Sequence, residues 1–121
     1  MSKLVLSVDD EAAVLYTREH LLQAEGYSVL SASGGKQALE LFTTHSRIQL
    51  VLLDYAMPDL NGLAVAREMK HLRPYVPIVM VTGEQGALAS SAASCVNEVL
   101  AKGMGAHQLL SKVREFIRWS G

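Results

Sequence analysis

A chain of 121 residues, 50% hydrophobic and 19% charged, has the size and composition of one folded domain and excludes both a disordered chain and a two-domain one. With 11 Lys and Arg against 12 Asp and Glu the net charge is -1, so no overall basic field exists to bind nucleic acid directly. No apolar run approaches the roughly 20 residues of a membrane span, and acidic residues come too early for a signal peptide, so no membrane role is expected and a cytoplasmic location is.

Strand-like and helix-like segments alternate along the chain. Lys3 to Val8 reads as a short apolar strand, and Asp9 or Asp10 is placed to cap the helix that follows. That helix extends to about Glu25, with Val14, Leu15, Leu21 and Leu22 on one stripe and Gly26 as its stop. Tyr27 to Ala32 alternates like a more exposed strand, and Ser33-Gly34-Gly35 leads into a helix carrying Ala38, Leu39 and Phe42. Ile48 to Pro58 reads IQLVLLDYAMP, an apolar run without alternation that stops at Asp54; this is the pattern of a central parallel strand buried on both faces.

A third helix follows, directing Leu63, Ala66, Met69 and Leu72 inward, and Pro77 opens a fourth strand, IVMV, that ends at Thr82-Gly83. Glu84 to Ser94 is rich in Ala and Ser and poor in large apolar side chains, which predicts a short or loosely held helix. The lone Cys95 excludes an internal disulfide and a cysteine-based zinc cluster and reads as a small buried apolar group. Asn97 to Ala101 is the fifth strand and delivers Lys102; the last helix runs from Ala106 to about Trp119 with Leu109, Leu110, Val113, Phe116 and Ile117 on its stripe. Five such units in a row predict an α/β fold, a parallel sheet with helices on both faces.

Four of the five strands end in polar residues: Asp9-Asp10, Asp54, Thr82 and Lys102. A parallel sheet gathers all these ends at one edge, where ligands of open α/β sheets collect. Taken singly, each has a plain reading: a helix cap, a turn threonine, a solvated lysine. Asp54 is the exception, because an acid that ends a fully apolar strand is costly to desolvate unless paired or metal-bound. Three carboxylates brought together repel one another, and an all-oxygen set suits Mg²⁺ or Mn²⁺ rather than zinc. A cation held there, with a hydroxyl and an ammonium beside it, provides what a phosphoryl group needs, and Asp54 is placed to be the nucleophile.

Together, Asp9-Asp10, DYAMPDLNG at Asp54 to Gly62, VTG at Val81 to Gly83 and Lys102 resemble the receiver domain of two-component response regulators over essentially the whole chain. The resemblance implies a single flavodoxin-like domain over residues 1–121, a doubly wound five-stranded parallel sheet in the order 2-1-3-4-5. It implies that Asp54 accepts a phosphoryl group from a histidine kinase or phosphotransfer protein. Asp10 would bind Mg²⁺ directly, Asp9 through water, and Asp54 and the backbone carbonyl of Ala56 would complete the set. Thr82 would bind the phosphoryl oxygen, and Lys102 would pair with Asp54 or the phosphoryl group. The domain would pass its signal to an output protein through the face formed by the fourth helix, fifth strand and last helix, without being an enzyme.

Three positions depart from the family's pattern. Gly103 replaces the proline that usually follows this lysine in a cis bond, and a looser hold on Lys102 is expected. Val99 stands where an aromatic ring usually rotates, and Cys95-Val96 replaces a Gly-Ala turn. All three lie in the output half, so the acceptor chemistry is expected to be intact and the relay altered. Two other functions remain open on sequence: a phosphorylation-independent interaction module anchored by Phe116 and Trp119, and a phosphatase acting on small molecules. The second lacks the acid that such enzymes place two residues after the nucleophile, where Ala56 stands. His20, His45, His71 and His107 read as surface residues.

Overall fold

The computed structural model describes residues 3–83 and 95–120, with side chains up to residue 117. The chain runs β1 (Leu4–Val8), α1 (Ala12–Ala24), β2 (Ser28–Ala32), α2 (Gly35–Thr44), β3 (Ile48–Leu53), α3 (Gly62–Leu72), β4 (Ile78–Thr82), β5 (Glu98–Ala101) and α4 (Ala106–Ser120). The strands pair in parallel in the order β2-β1-β3-β4-β5, as expected, with β3 at the centre. The helix expected between Glu84 and Ser94 lies outside the described residues.

Side chains alternate across the sheet with period two, and that alternation divides the core. Leu6, Val8, Val51, Leu53, Ile78 and Met80 meet α2 and α3 on one face, with Phe42 and Met69 fully buried among them. Val5, Leu50, Leu52, Val79 and Val81 meet α1 and α4 on the other, against Leu22, Leu109 and Val113. Ile48 and Leu50 fall on opposite faces because the β1–β3 register slips between Leu4 and Val5, an irregularity in pairing that apolar pattern alone does not reveal. Each such side chain contributes about 1.5–3 kcal/mol on burial. Cys95 is buried in the first of these clusters, as expected.

Four sequence expectations change. Neither Asp9 nor Asp10 caps α1; the N-cap is Glu11, which makes no side-chain cap hydrogen bond. Leu72 is 43% exposed rather than inward, because α3 ends there and the next residue, Arg73, lies over the Phe42 ring at 4.0 Å and donates to the His45 carbonyl. Asn97 precedes β5 instead of opening it: its side chain accepts from the Ile78 N–H at 2.9 Å and from Lys70 Nζ at 2.7 Å. Phe116 is half-buried against the second core cluster, so it is no free anchor for a partner; the side chain of Trp119 lies outside the described residues. Gly26 ends α1 as expected, with φ +93° in the left-handed region that favours glycine. Among the described residues, no helix is long and apolar enough to cross a membrane.

Candidate functional site

The sheet places Asp9, Asp54, Thr82 and Lys102 at the carboxyl ends of β1, β3, β4 and β5. Backbone hydrogen bonds continue past the strands and hold these residues in register. The Asp9 N–H donates to the Ala32 carbonyl at 3.1 Å, Asp54 N–H to Val8 at 3.0 Å and Lys102 N–H to Thr82 at 3.0 Å. Asp9, Asp54 and Thr82 are buried, whereas Asp10 is exposed. Oxygens of Asp9, Asp10 and Asp54 lie within 4.8 Å of one another. The Glu11 N–H donates to Asp9 Oδ1 at 3.0 Å, while the buried Asp9 Oδ2 faces the cationic groups of Lys102 and Arg18.

Such crowding has an electrostatic signature. Burial, and then the charge of Asp9, push the Asp54 carboxyl above its ordinary value, and Lys102 offsets this only in part. Lys102 Nζ stands 3.1 Å from Asp9 Oδ2, 3.2 Å from Glu11 Oε1 and 3.4 Å from Asp54 Oδ2. Burial opposes its charge, but the short polar contacts with Asp9 and Glu11 and the charges of Asp9 and Asp54 outweigh that and hold the ammonium above its usual value. Three carboxylates thus surround the lysine beside Gly103.

The loop after Asp54 is pinned at several points. Gly62 N–H donates to the Tyr55 carbonyl at 2.7 Å, and a Cβ there would strike the Asp54 carbonyl oxygen and stand 2.8 Å from Tyr55 Cα. Only glycine allows that approach. Asn61 caps α3 by accepting from the Ala64 N–H, and Met57 fills the core beneath. The Asp59 carboxylate accepts from the N–H groups of Gly35 and Lys36 at 3.0 Å each, supplying from 24 residues away the cap that Gly34 lacks; these bonds hold its pKa down to about 2. Ala56 lies exposed in this loop, two residues past Asp54.

All four strand-end positions singled out from sequence therefore lie at one edge, with Asp10 and Lys102 beside Asp9 and Asp54. Two members escaped sequence reasoning. Glu11, the third acid in VDDE, contacts Lys102. Arg18 is only 5% exposed and brings Nη2 to 3.7 Å from Asp9 Oδ2. Its signal was present: Arg18 stands four residues after Val14 and four before Leu22, a charge in a stripe of apolar positions. Four histidines lie away from the strand ends; His20, His71 and His107 are exposed and His45 is half-buried at the end of α2.

The acidic cluster and its paired lysine stand in the crevice outside the carboxyl ends of a doubly wound parallel sheet, where this class of α/β domain binds its ligands. The response regulator receiver domain profile matches residues 5–114, and the chain belongs to that family. Response regulator MprA of Mycolicibacterium vanbaalenii is 32% identical over 116 residues, covering 94% of this chain and 50% of MprA. A CheY-like receiver domain protein from Methanospirillum hungatei superposes with TM-score 0.92 at 27% identity, covering 99% of this chain and 97% of that one. TrrA from Thermotoga maritima, solved in complex with Mg²⁺-BeF, superposes with TM-score 0.88 at 30% identity over 94% and 98% of the two chains. This chain spans about half or less of the length of the curated relatives it matches. As a receiver domain it is a signalling module of phospho-acceptor relay.

Proposed function

We propose that Asp54 is the phospho-acceptor of this receiver domain, taking a phosphoryl group from a phosphohistidine of a cytoplasmic histidine kinase or phosphotransfer protein. The observation that carries this reading is the meeting of Asp9, Asp10 and Asp54 oxygens within 4.8 Å, with Lys102 3.4 Å from Asp54. An Asp54 carboxylate oxygen attacks phosphorus, the phosphorus–nitrogen bond breaks, and the leaving imidazole takes up a proton. Lys102 clamps the phosphoryl group as a point charge, and the Thr82 hydroxyl donates to one of its oxygens.

The residues suit Mg²⁺: the donors are all oxygen, and those of Asp9, Asp10 and Asp54 lie within 4.8 Å of one another. Asp10 would hold the ion directly, Asp9 through water, and Asp54 and the Ala56 carbonyl would complete the set; Mn²⁺ suits the same donors. A bound ion supplies neutralisation of the acids and of the incoming phosphoryl oxygens. A groove of about 360 Å³ between α1 and α4, walled by Leu21, Met104 and Leu109 and reaching Lys102, offers an approach for the phosphodonor protein. Phosphorylation then draws in Thr82, and the face around β5 and α4 meets an output protein.

Incubation with Mg²⁺ and acetyl phosphate tests this. Intact mass should show one phosphoryl adduct, stable in acid and labile in base, in wild type and none in Asp54→Asn. A wild type that never gains the adduct, or a variant that gains it equally, removes Asp54 from the role.

A further inference from the structure

We propose that Arg18 is a built-in counter-cation of the acid cluster, whose buried guanidinium neutralises part of the charge that a divalent cation would otherwise meet and so sets a weakened affinity for that cation. The inference rests on the reading of Asp9, Asp10 and Asp54 as the cation site.

Arginine is rarely this buried unless paired, and here the pair is a loose one. One nitrogen, Nη2, stands 3.7 Å from Asp9 Oδ2, and the other, Nη1, is buried without a hydrogen-bond partner. The two-pronged fork through which an arginine clamps a carboxylate is therefore not used. A buried charge placed this way stabilises a fold poorly, since desolvation offsets its Coulomb gain. What it does supply is positive charge at a fixed depth. Burial presses the guanidinium toward neutrality, while the charges of Asp9 and, secondly, Asp54 oppose this, so Arg18 senses both acids.

Arg18 and Lys102 converge on the same Asp9 Oδ2, at 3.7 and 3.1 Å. Against Asp9, Asp10, Asp54 and the Glu11 that pairs with Lys102, these two cations leave two negative charges uncompensated. Without Arg18 three would remain. Lys102 has a quarter-exposed side chain with a long stem and is able to withdraw when another cation arrives. Arg18 issues from the buried stripe of α1, is only 5% exposed, and stands in the wall of the groove between α1 and α4. Its opposition to an incoming divalent ion holds for as long as it stays buried there, and the low-dielectric surroundings strengthen it.

Arg18→Met and Arg18→Gln remove the charge while keeping an unbranched stem, and Arg18→Lys keeps the charge. Binding of Mn²⁺ is read directly from the electron paramagnetic resonance of the free ion, with Mg²⁺ as competitor, and circular dichroism reports the fold. Both neutral variants should bind Mn²⁺ about tenfold tighter than wild type, and the lysine variant within about threefold of it. Neutral variants that fold only when metal is added also support the proposal, because the ion then replaces the missing charge. Unchanged or weaker binding by folded neutral variants overturns it, and so does their failure to fold with and without metal, which would assign Arg18 to the architecture of the core. A wild type that binds no Mn²⁺ at millimolar concentration removes the cation site itself, an outcome distinct from wild type and variants binding alike.

Discussion

The two walls of the crevice are built on different principles. Around the ends of β1 and β3, backbone does the holding: Asp54 is locked to Val8, Asp9 to Ala32, Gly62 to Tyr55, and Asp59 ties the loop to the start of α2. Around the ends of β4 and β5, Thr82 is buried, but Gly83, Gly103 and Gly105 each have open space where a Cβ would stand, and Lys102 reaches the site on a flexible stem. At its opposite end, β5 is tied by Asn97 and Lys70 to β4 and α3. In the roles proposed above, Asp54 as nucleophile has to be placed to within a fraction of an ångström, which backbone contacts provide, and Lys102 as the cation that follows a transferring group benefits from reach.

Two glycines put this contrast to its hardest test. Gly62→Ala drives a methyl group into the Asp54 carbonyl and should cost about 2–3 kcal/mol, with slower phosphorylation as the acceptor backbone shifts. Gly103→Ala meets nothing within 4 Å and should stay within about 0.5 kcal/mol. Denaturant titration of both proteins gives the comparison; equal effects would mean that the walls do not differ. Next in size is Asn97→Ala, which leaves the buried Ile78 N–H and the Lys70 ammonium without their shared acceptor; about 1–2 kcal/mol should be lost, measured the same way.

The acceptor wall holds strain that Asp54→Asn should release. Asp54 keeps its proton more tightly in the folded state than its ordinary value of 3.8 would give. Protonated Asp54 thus favours the fold at low pH, and stability is lost as pH rises through the raised folded-state value. At pH 7 without metal, the asparagine variant should melt a few degrees higher than wild type, and Mg²⁺ should narrow the gap by stabilising wild type alone. A variant that melts lower would show that the Lys102 pair outweighs burial.

The smallest effect belongs to Asp59, whose pKa is depressed to about 2 from 3.8. Its contribution is fully present above 3.8 and disappears as pH falls toward 2. Wild type and Asp59→Asn should therefore differ in melting temperature at neutral pH and converge in acid; a constant difference would assign the effect to packing.

Much of this was legible in the chain itself. The alternation of apolar strands with amphipathic helices specifies a parallel sheet, because each apolar run is long enough only for a strand and each stripe has to pack back on it. The residues at the strand ends follow from that order, so Asp9, Asp54, Thr82 and Lys102 were readable as neighbours at one edge of the sheet. Distances across the crevice were not. That Lys102 sits among Asp9, Glu11 and Asp54 in spite of Gly103, that Asp59 caps a helix 24 residues away, and that Gly62 is forced by the Asp54 carbonyl all depend on contacts between segments distant in sequence. Arg18 shows the division most sharply. Periodicity puts it on a buried stripe, but only the packing of α1 against the end of β1 decides that its charge faces Asp9, since a helix fixes which residues share a face while tertiary structure fixes what that face meets.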